Sequence, residues 1–202
     1  MNSTFQELLD INRGHFLLES GLHGDVWFDL EKVFLHPDLL MPFIKELTAL
    51  LAPYNLSTVC GAMVGGAFVA YSVAETLGLE FIYTERHVTS HPDARYEVRY
   101  ELPQTLRSAV ADRKIGIIDD VINAGSAVTQ TYKELKSLCA DTVVFASLLT
   151  VGGKSPKRLS GEYPPIVALE HLESNLWKPA DCPLCKSGIL LSDPYTAEKA
   201  QR

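Results

Sequence analysis

The sequence predicts an α/β protein, a doubly wound and mainly parallel open sheet with a small N-terminal subdomain. Three observations carry this expectation. From residue 57 onward, short apolar runs alternate with segments of helical spacing. The apolar runs are continuous rather than period-two, which is how strands covered on both faces read. The residues before 55 precede that alternation and stand apart from it. The expected organisation is an N-terminal helical region over 1–54, an α/β core over 55–175 with a loop and hairpin arm at 86–112, and a tail over 176–202.

The elements follow in chain order. "STFQELLDI" offers Ser3 or Thr4 as a helix cap, with Gln6 or Glu7 three positions on. "DVWFDL", 25–30, reads as a short strand. "HPDLLMPFIKELTALL", 36–51, has helical spacing, with Leu39, Leu40, Phe43, Ile44, Leu47 and Leu51 on one stripe. Pro37 suits a first turn, whereas Pro42 predicts a later start or a bend. "STVC" is a strand, and the helix over 67–77 closes at Gly78. "EFIYT", 80–84, is a strand. "RKIGII" is a strand leading into Asp119, and 126–138 is a helix. Strands at 142–149 and 165–169 complete the sheet. The polar segment 86–112 breaks the rhythm, with a period-two piece at 95–101. So long an interruption in a compact domain usually serves function.

Composition bounds the function. A chain of 202 residues, 47% hydrophobic, can bury one sizeable core. A net charge of −7 argues against a nucleic-acid face. No apolar stretch is long enough to span a bilayer, and "MNSTFQELLD" lacks the pattern of a secretory signal. Four cysteines in a chain of this length do not make a disulfide scaffold. The expectation is a soluble cytoplasmic protein acting on small molecules.

The stretch "RKIGIIDDVINAGSAVTQTYKEL", 113–135, carries the chemistry. Asp119 and Asp120 fall at the carboxyl end of a strand, where ligands of open α/β sheets bind. A small-residue turn with Gly125 follows, and Gly125 can take a left-handed conformation. The helix beginning near Ser126 presents unpaired amides, which together with Ser126 and Thr129 form an anion cradle. Carboxylates repel phosphate and amides attract it. A sugar phosphate satisfies both, with its hydroxyls at the acids and its phosphate at the helix. A receiver domain would carry its acidic pair after the first strand, and a P-loop would need Gly-Lys-Ser/Thr. Neither pattern is present.

"IIDDVINAGSA" resembles the phosphoribosyl-pyrophosphate motif of the type I phosphoribosyltransferases, in the form found in orotate phosphoribosyltransferases. "GHFLLESGLHGDVWFDLEKVFLHPDLL", 14–40, resembles that family's hood, and "GAMVGGAFVAYSVAETLGLEFIYTER", 61–86, its pyrophosphate loop with the helix and strand that follow. "DCPLCKSG", 181–188, resembles a tail of one subgroup. The resemblance implies that Asp119 and Asp120 hold the ribose hydroxyls and, indirectly, magnesium. It implies that Val121, Asn123, Ala124, Gly125, Ser126 and Ala127 hold the 5′-phosphate. Ala62, Met63, Val64 and Gly65 would take the pyrophosphate through backbone amides. Arg86 would stabilise the leaving group, with His91, Arg95 and Arg99 as further cations of the arm. The substrates implied are phosphoribosyl pyrophosphate and orotate, with orotidine 5′-monophosphate as product, and the assembly implied is a homodimer.

Several positions depart from the family pattern. Asn123 stands where Thr is usual, Val64 where some members carry Lys, and Glu19 where a basic residue is frequent. "LLTVGGKS" lacks the Asp-Arg that would recognise a base carboxylate, leaving Lys154 or Lys157 as looser substitutes. Two alternatives therefore remain open: a phosphoribosyltransferase for another base, and a non-catalytic phosphoribosyl-pyrophosphate or nucleotide-binding regulator.

Cys182-Pro-Leu-Cys185 has metal-ligand spacing, but a closed zinc site needs four ligands. Cys60 and Cys139 read as core or near-core thiols, nothing fixes the direction of His171, and the pair is assigned no metal. A two-fold pairing of tails is one way to complete such a site. Trp27, Trp177, Phe68 and Tyr71 read as packing residues.

Overall fold

A computed structural model describes residues 4–18, 20–90, 96–153, 159 and 162–194. The elements in chain order are β1 (Asp10–Leu17), β2 (His23–Asp29), α1 (Glu31–Phe34), α2 (Pro37–Leu51), β3 (Thr58–Ala62), α3 (Gly65–Leu77) and β4 (Glu80–Ser90). There follow β5 (Tyr96–Glu101), β6 (Lys114–Ile122), α4 (Ser126–Ser137), β7 (Asp141–Gly152), β8 (Ile166–Glu173), β9 (Leu176–Trp177) and α5 (Pro183–Lys186). A six-stranded sheet has the order β5-β4-β3-β6-β7-β8, and a three-stranded sheet the order β1-β2-β9. The larger sheet is parallel apart from the antiparallel β4–β5 pair. Its strand order reverses at β3, which has β4 on one side and β6 on the other. This is the doubly wound α/β architecture expected.

Two apolar layers cover the sheet. On one face Leu40, Phe43, Ile44, Leu47 and Leu51 of α2 and Val69, Ala70 and Val73 of α3 pack against Ile118, Val144, Ala146 and Leu148. On the other, Val128 and Leu135 of α4 pack against Ile115, Ile117 and Phe145. Neighbouring residues of β6 and β7 thus serve opposite layers, which is why these strands are apolar throughout. The approach of α3 to β3 requires Gly61, because a Cβ there would lie 2.5 Å from the Ala67 Cα.

Several elements differ from the sequence reading. β4 continues to Ser90 rather than ending near 84, because β5 pairs with its outer half from Glu85↔Glu101 to Ser90↔Tyr96. Much of what reads as a long loop is therefore one arm of a hairpin. β6 runs past both acids to Ile122, because Val121 and Ile122 still pair with Leu149 and Thr150 of β7. Leu39 is 49% exposed and leaves the stripe, where Thr48 is buried. Pro42 lies inside α2, and the helix starts at Pro37. The first helix contracts to a 3-10 turn at Phe5–Leu8, held by a Thr4–Glu7 capping box. The Glu170 carboxylate accepts from the amides of Phe5 and Gln6, and the Phe5 ring meets Phe43 edge-on at 5.5 Å. Among the described residues, no helix is long and apolar enough to cross a membrane.

Leu47 and Leu39 lie on the same helix and differ in burial, 0% against 49% exposed. Leu47→Ala is expected to lower unfolding free energy by about 2–5 kcal/mol. Leu39→Ala should stay within about 0.5 kcal/mol of wild type. Urea denaturation of the two variants checks both expectations.

Candidate functional site

β3 and β6 are adjacent and parallel, in register from Thr58↔Ile115 to Gly61↔Ile118. Their carboxyl ends open side by side, each followed by a loop and a helix. This is the reversal point of the sheet, where open α/β sheets bind ligands. After β3, Ala62 is buried, the Met63–Val64 peptide is cis, and α3 begins at Gly65. The Met63 and Val64 side chains are exposed, and the Met63 amide donates to the Thr84 carbonyl at 2.9 Å. The first turn of α3 then leaves amides without intrahelical acceptors.

After β6 the acids sit hard against that turn. Asp119 is buried at 8% exposure and pairs with Ser147 in the ladder. Its Oδ1 would be 2.5 Å from a Cβ on Gly66, and Asp120 Oδ2 would be 1.9 Å from a Cβ on Gly65. Both glycines are therefore required for the acids to stand where they do. The Asp120 amide donates to Asp119 Oδ1 at 3.1 Å, and the Val121 amide to Asp120 Oδ1 at 2.7 Å. Removal from water pushes the Asp120 carboxyl above the usual carboxylate range, and the Val121 amide pulls it the other way.

The turn 123–125 leads into α4. Gly125 is left-handed, with φ +77°, as the sequence reading allowed. Val121, Asn123, Ala124 and Ala127 are half-buried, while Ser126 is exposed. Asn123 Oδ1 is buried and has no hydrogen-bond partner among the described residues, an acceptor suited to a ligand hydroxyl. Thr129 is a correction. Its hydroxyl donates to the Gly125 carbonyl at 2.7 Å and so closes the first turn of α4 rather than joining an anion cradle. The acids consequently lie between the N-termini of two helices, α3 and α4, whose partial positive charge favours an anion.

The arm residue Arg86 is exposed on β4 opposite Tyr100, and Arg99 is exposed opposite His87. Glu19, His91, Arg95, Lys154 and Lys157 lie outside the described residues. His171 has a fixed direction: Nδ1 is 3.0 Å from Thr150 Oγ1 and Nε2 is 2.7 Å from the Gly153 carbonyl. Cys60 is buried, whereas Cys139 is exposed with φ +61°, contrary to a near-core reading. Phe68 and Tyr71 are more than half exposed, although their rings meet Phe34 and Phe81 at 5.3 and 5.5 Å.

No family model matches the chain. An orotate phosphoribosyltransferase of Wolinella succinogenes is 30% identical over 202 aligned residues, covering 93% of this chain and 92% of the relative. The chain belongs to the orotate phosphoribosyltransferase family. A second member of that family, from Caldanaerobacter subterraneus, is 28% identical across 94% of the chain and 93% of the relative. The solved orotate phosphoribosyltransferase of Aeropyrum pernix superposes with TM-score 0.59 at 18% identity, over 83% of this chain and 89% of that one. An adenine phosphoribosyltransferase of Trypanosoma brucei gives 0.62 at 12% identity, over 83% and 77%. These two share the fold.

Sequence reading placed the two acids but gave Gly65 only a part in the pyrophosphate loop and passed over Gly66. The signal was available in "GAMVGGAF", because two adjacent glycines opening a helix indicate a close approach. The desolvated Asp120 carboxyl has a consequence for stability. Between the ordinary carboxylate pKa and its raised folded value, the unfolded chain is ionised while the folded group keeps its proton. Stability is therefore lost as pH rises through that window. In protein stripped of divalent ions, Asp120→Asn is expected to melt above wild type at about pH 8, with the gap closing toward about pH 4. A thermal-melt series across that range checks the sign.

Proposed function

We propose that the protein transfers the phosphoribosyl group of phosphoribosyl pyrophosphate to orotate, giving orotidine 5′-monophosphate and pyrophosphate. The observation that carries this reading is the acid pair set between two helix N-termini at the sheet's reversal point. Membership of the orotate phosphoribosyltransferase family supports the choice of base.

Asp119 and Asp120 accept hydrogen bonds from the two ribose hydroxyls. Ribose hydroxyls donating to Asp120 favour its charged form and oppose the effect of burial. The amides of the turn at Asn123, Ala124, Gly125, Ser126 and Ala127, beside Val121, bind the 5′-phosphate, while Asn123 Oδ1 takes a hydroxyl. Ala62, Val64 and Gly65 bind the pyrophosphate through main-chain amides, while the Met63 amide expected to join them is held by the Thr84 carbonyl. With the donor thus held at both ends, its anomeric carbon faces the base. A nitrogen of the base attacks that carbon as the bond to pyrophosphate breaks, and the bonding electrons leave on the pyrophosphate oxygen. Positive charge grows on the ribosyl ring, and Arg86 offsets the charge growing on the leaving group. Asp119 and Asp120 are an oxygen donor set suited to hydrated magnesium and would hold it indirectly. Magnesium, when bound, neutralises pyrophosphate charge.

The protein works as a homodimer in the cytoplasm in this reading. Leu35, Val64, Phe68 and Tyr71 support the dimer, since all are large, apolar and exposed.

A panel of orotate, uracil, adenine, guanine and hypoxanthine, each with phosphoribosyl pyrophosphate and magnesium, tests the assignment. Pyrophosphate release with orotate alone is expected. Release with another base reassigns the acceptor, and release with none favours a binding protein. Asp119→Asn and Asp120→Ala should each lower kcat about 100-fold, roughly 3 kcal/mol, with an unchanged circular dichroism spectrum. Full turnover in both variants contradicts the roles given to the acids.

A further inference from the structure

The C-terminal tail meets the β1–β2 hairpin at four side chains that the transfer reaction does not use. His15 lies where the β1–β2 register shifts, between Arg13 and Phe16, and His23 opens β2. Cys182 and Cys185 flank the first turn of α5. One ligand atom from each of the four lies within 4.8 Å of every other. His15, His23 and Cys182 are buried, at 2%, 5% and 0% exposure, and Cys185 closes the outer side.

The distances come close to those of a coordination shell. His15 Nε2 is 3.0 Å from His23 Nδ1, 3.4 Å from Cys182 Sγ and 3.7 Å from Cys185 Sγ, and Cys185 Sγ is 3.3 Å from His23 Nδ1. A tetrahedral zinc ion with ordinary Zn–N and Zn–S bonds has ligand–ligand edges of roughly 3.3–3.8 Å, a range that holds three of these separations, with the His15–His23 one shorter. Hydrogen bonding alone accounts poorly for this convergence. His15 Nδ1 faces the Ile189 carbonyl at 2.9 Å, and a carbonyl only accepts, so Nδ1 carries the proton. Nε2 then offers a single lone pair, on which three potential donors converge. A proton on the far nitrogen held by a backbone carbonyl is also the usual outer support of a metal-bound imidazole.

We propose that His15, His23, Cys182 and Cys185 form a structural zinc site that clasps the tail to the hood hairpin. Two thiolates and two neutral imidazoles make a closed, borderline-soft set that favours zinc over magnesium or calcium. The chain around the ligands is already arranged for it. Gly188, with φ +71°, turns the tail back beneath α5, its amide donating to the Cys185 carbonyl at 3.0 Å. The tail then runs beside β1, where the Leu17 amide donates to the Ser192 carbonyl and the Ser192 amide to the His15 carbonyl. The small sheet gains only two residue pairs from β9, His23↔Trp177 and Gly24↔Leu176. A two-residue strand holds the tail to the hairpin weakly, and a metal clasp supplies a further constraint. The site lies within one chain and does not require tails from two subunits.

Full-length protein purified with reductant and without chelator should contain about one zinc per chain by elemental analysis. The double variant Cys182→Ser/Cys185→Ser should contain less than about 0.1, while Cys139→Ser keeps the full complement. Because the double variant's tail can detach, wild-type protein freed of zinc is also titrated with cobalt(II). The expected result is the intense visible absorption of a tetrahedral ion with a thiolate-to-cobalt band, displaced by zinc. Absence of a stoichiometric metal with no cobalt spectrum, a stoichiometric metal other than zinc, or zinc retained by the double variant each overturns the proposal.

Discussion

Asp119 and Asp120 stand where α3 leaves no space for a side chain. Gly65 and Gly66 open that helix against the two carboxylates, and any larger residue would push them out of place. This close approach organises the rest of the site. It keeps the acids poorly hydrated, so Asp120 holds its proton more firmly than a free carboxyl does. It also brings the amino end of α3 to the same edge as that of α4. A pair of carboxylates alone would repel a phosphorylated ligand, and a pair of helix ends alone would bind any anion. Together they select a molecule with hydroxyls in its middle and phosphates at its extremities.

The sheet explains why this edge is stiff. β3, β6 and β7 are buried on both faces, and α2, α3 and α4 draw their apolar residues from opposite sides of the same strands. Ladder pairing continues through the acids to Ile122↔Thr150, so Asp119 and Asp120 are strand residues and not members of a mobile loop. The turn at 123–125 is irregular, and the left-handed Gly125 fixes its exit into α4. A site built on strand ends and helix starts loses less entropy on binding than one built on loops.

Much of this was legible in the sequence, for identifiable reasons. Continuous apolar runs gave away the parallel strands, and "IIDDVINAGSA" placed the acids, the turn and the helix start. Local patterning failed where pairing partners decide the outcome. The extension of β4 to Ser90 depends on β5, and that of β6 to Ile122 depends on β7. Thr129 reads as a ligand donor by its type, yet its own helix turn uses its hydroxyl. The Cys182–Cys185 pair looked incomplete because its partners, His15 and His23, lie more than a hundred and fifty residues earlier in the chain and meet the tail only through folding.

The central claim is that the β3 and β6 ends hold a ribose 5-phosphate by its hydroxyls at Asp119 and Asp120 and by its phosphate at the amides of 124–127. A crystal structure of the protein soaked with ribose 5-phosphate tests it most directly. The account predicts phosphate oxygens at hydrogen-bonding distance, about 2.7–3.2 Å, from those amides, with the 2′ and 3′ hydroxyls on the two carboxylates. A sugar phosphate bound elsewhere, or bound there with its phosphate against the acids, would contradict it.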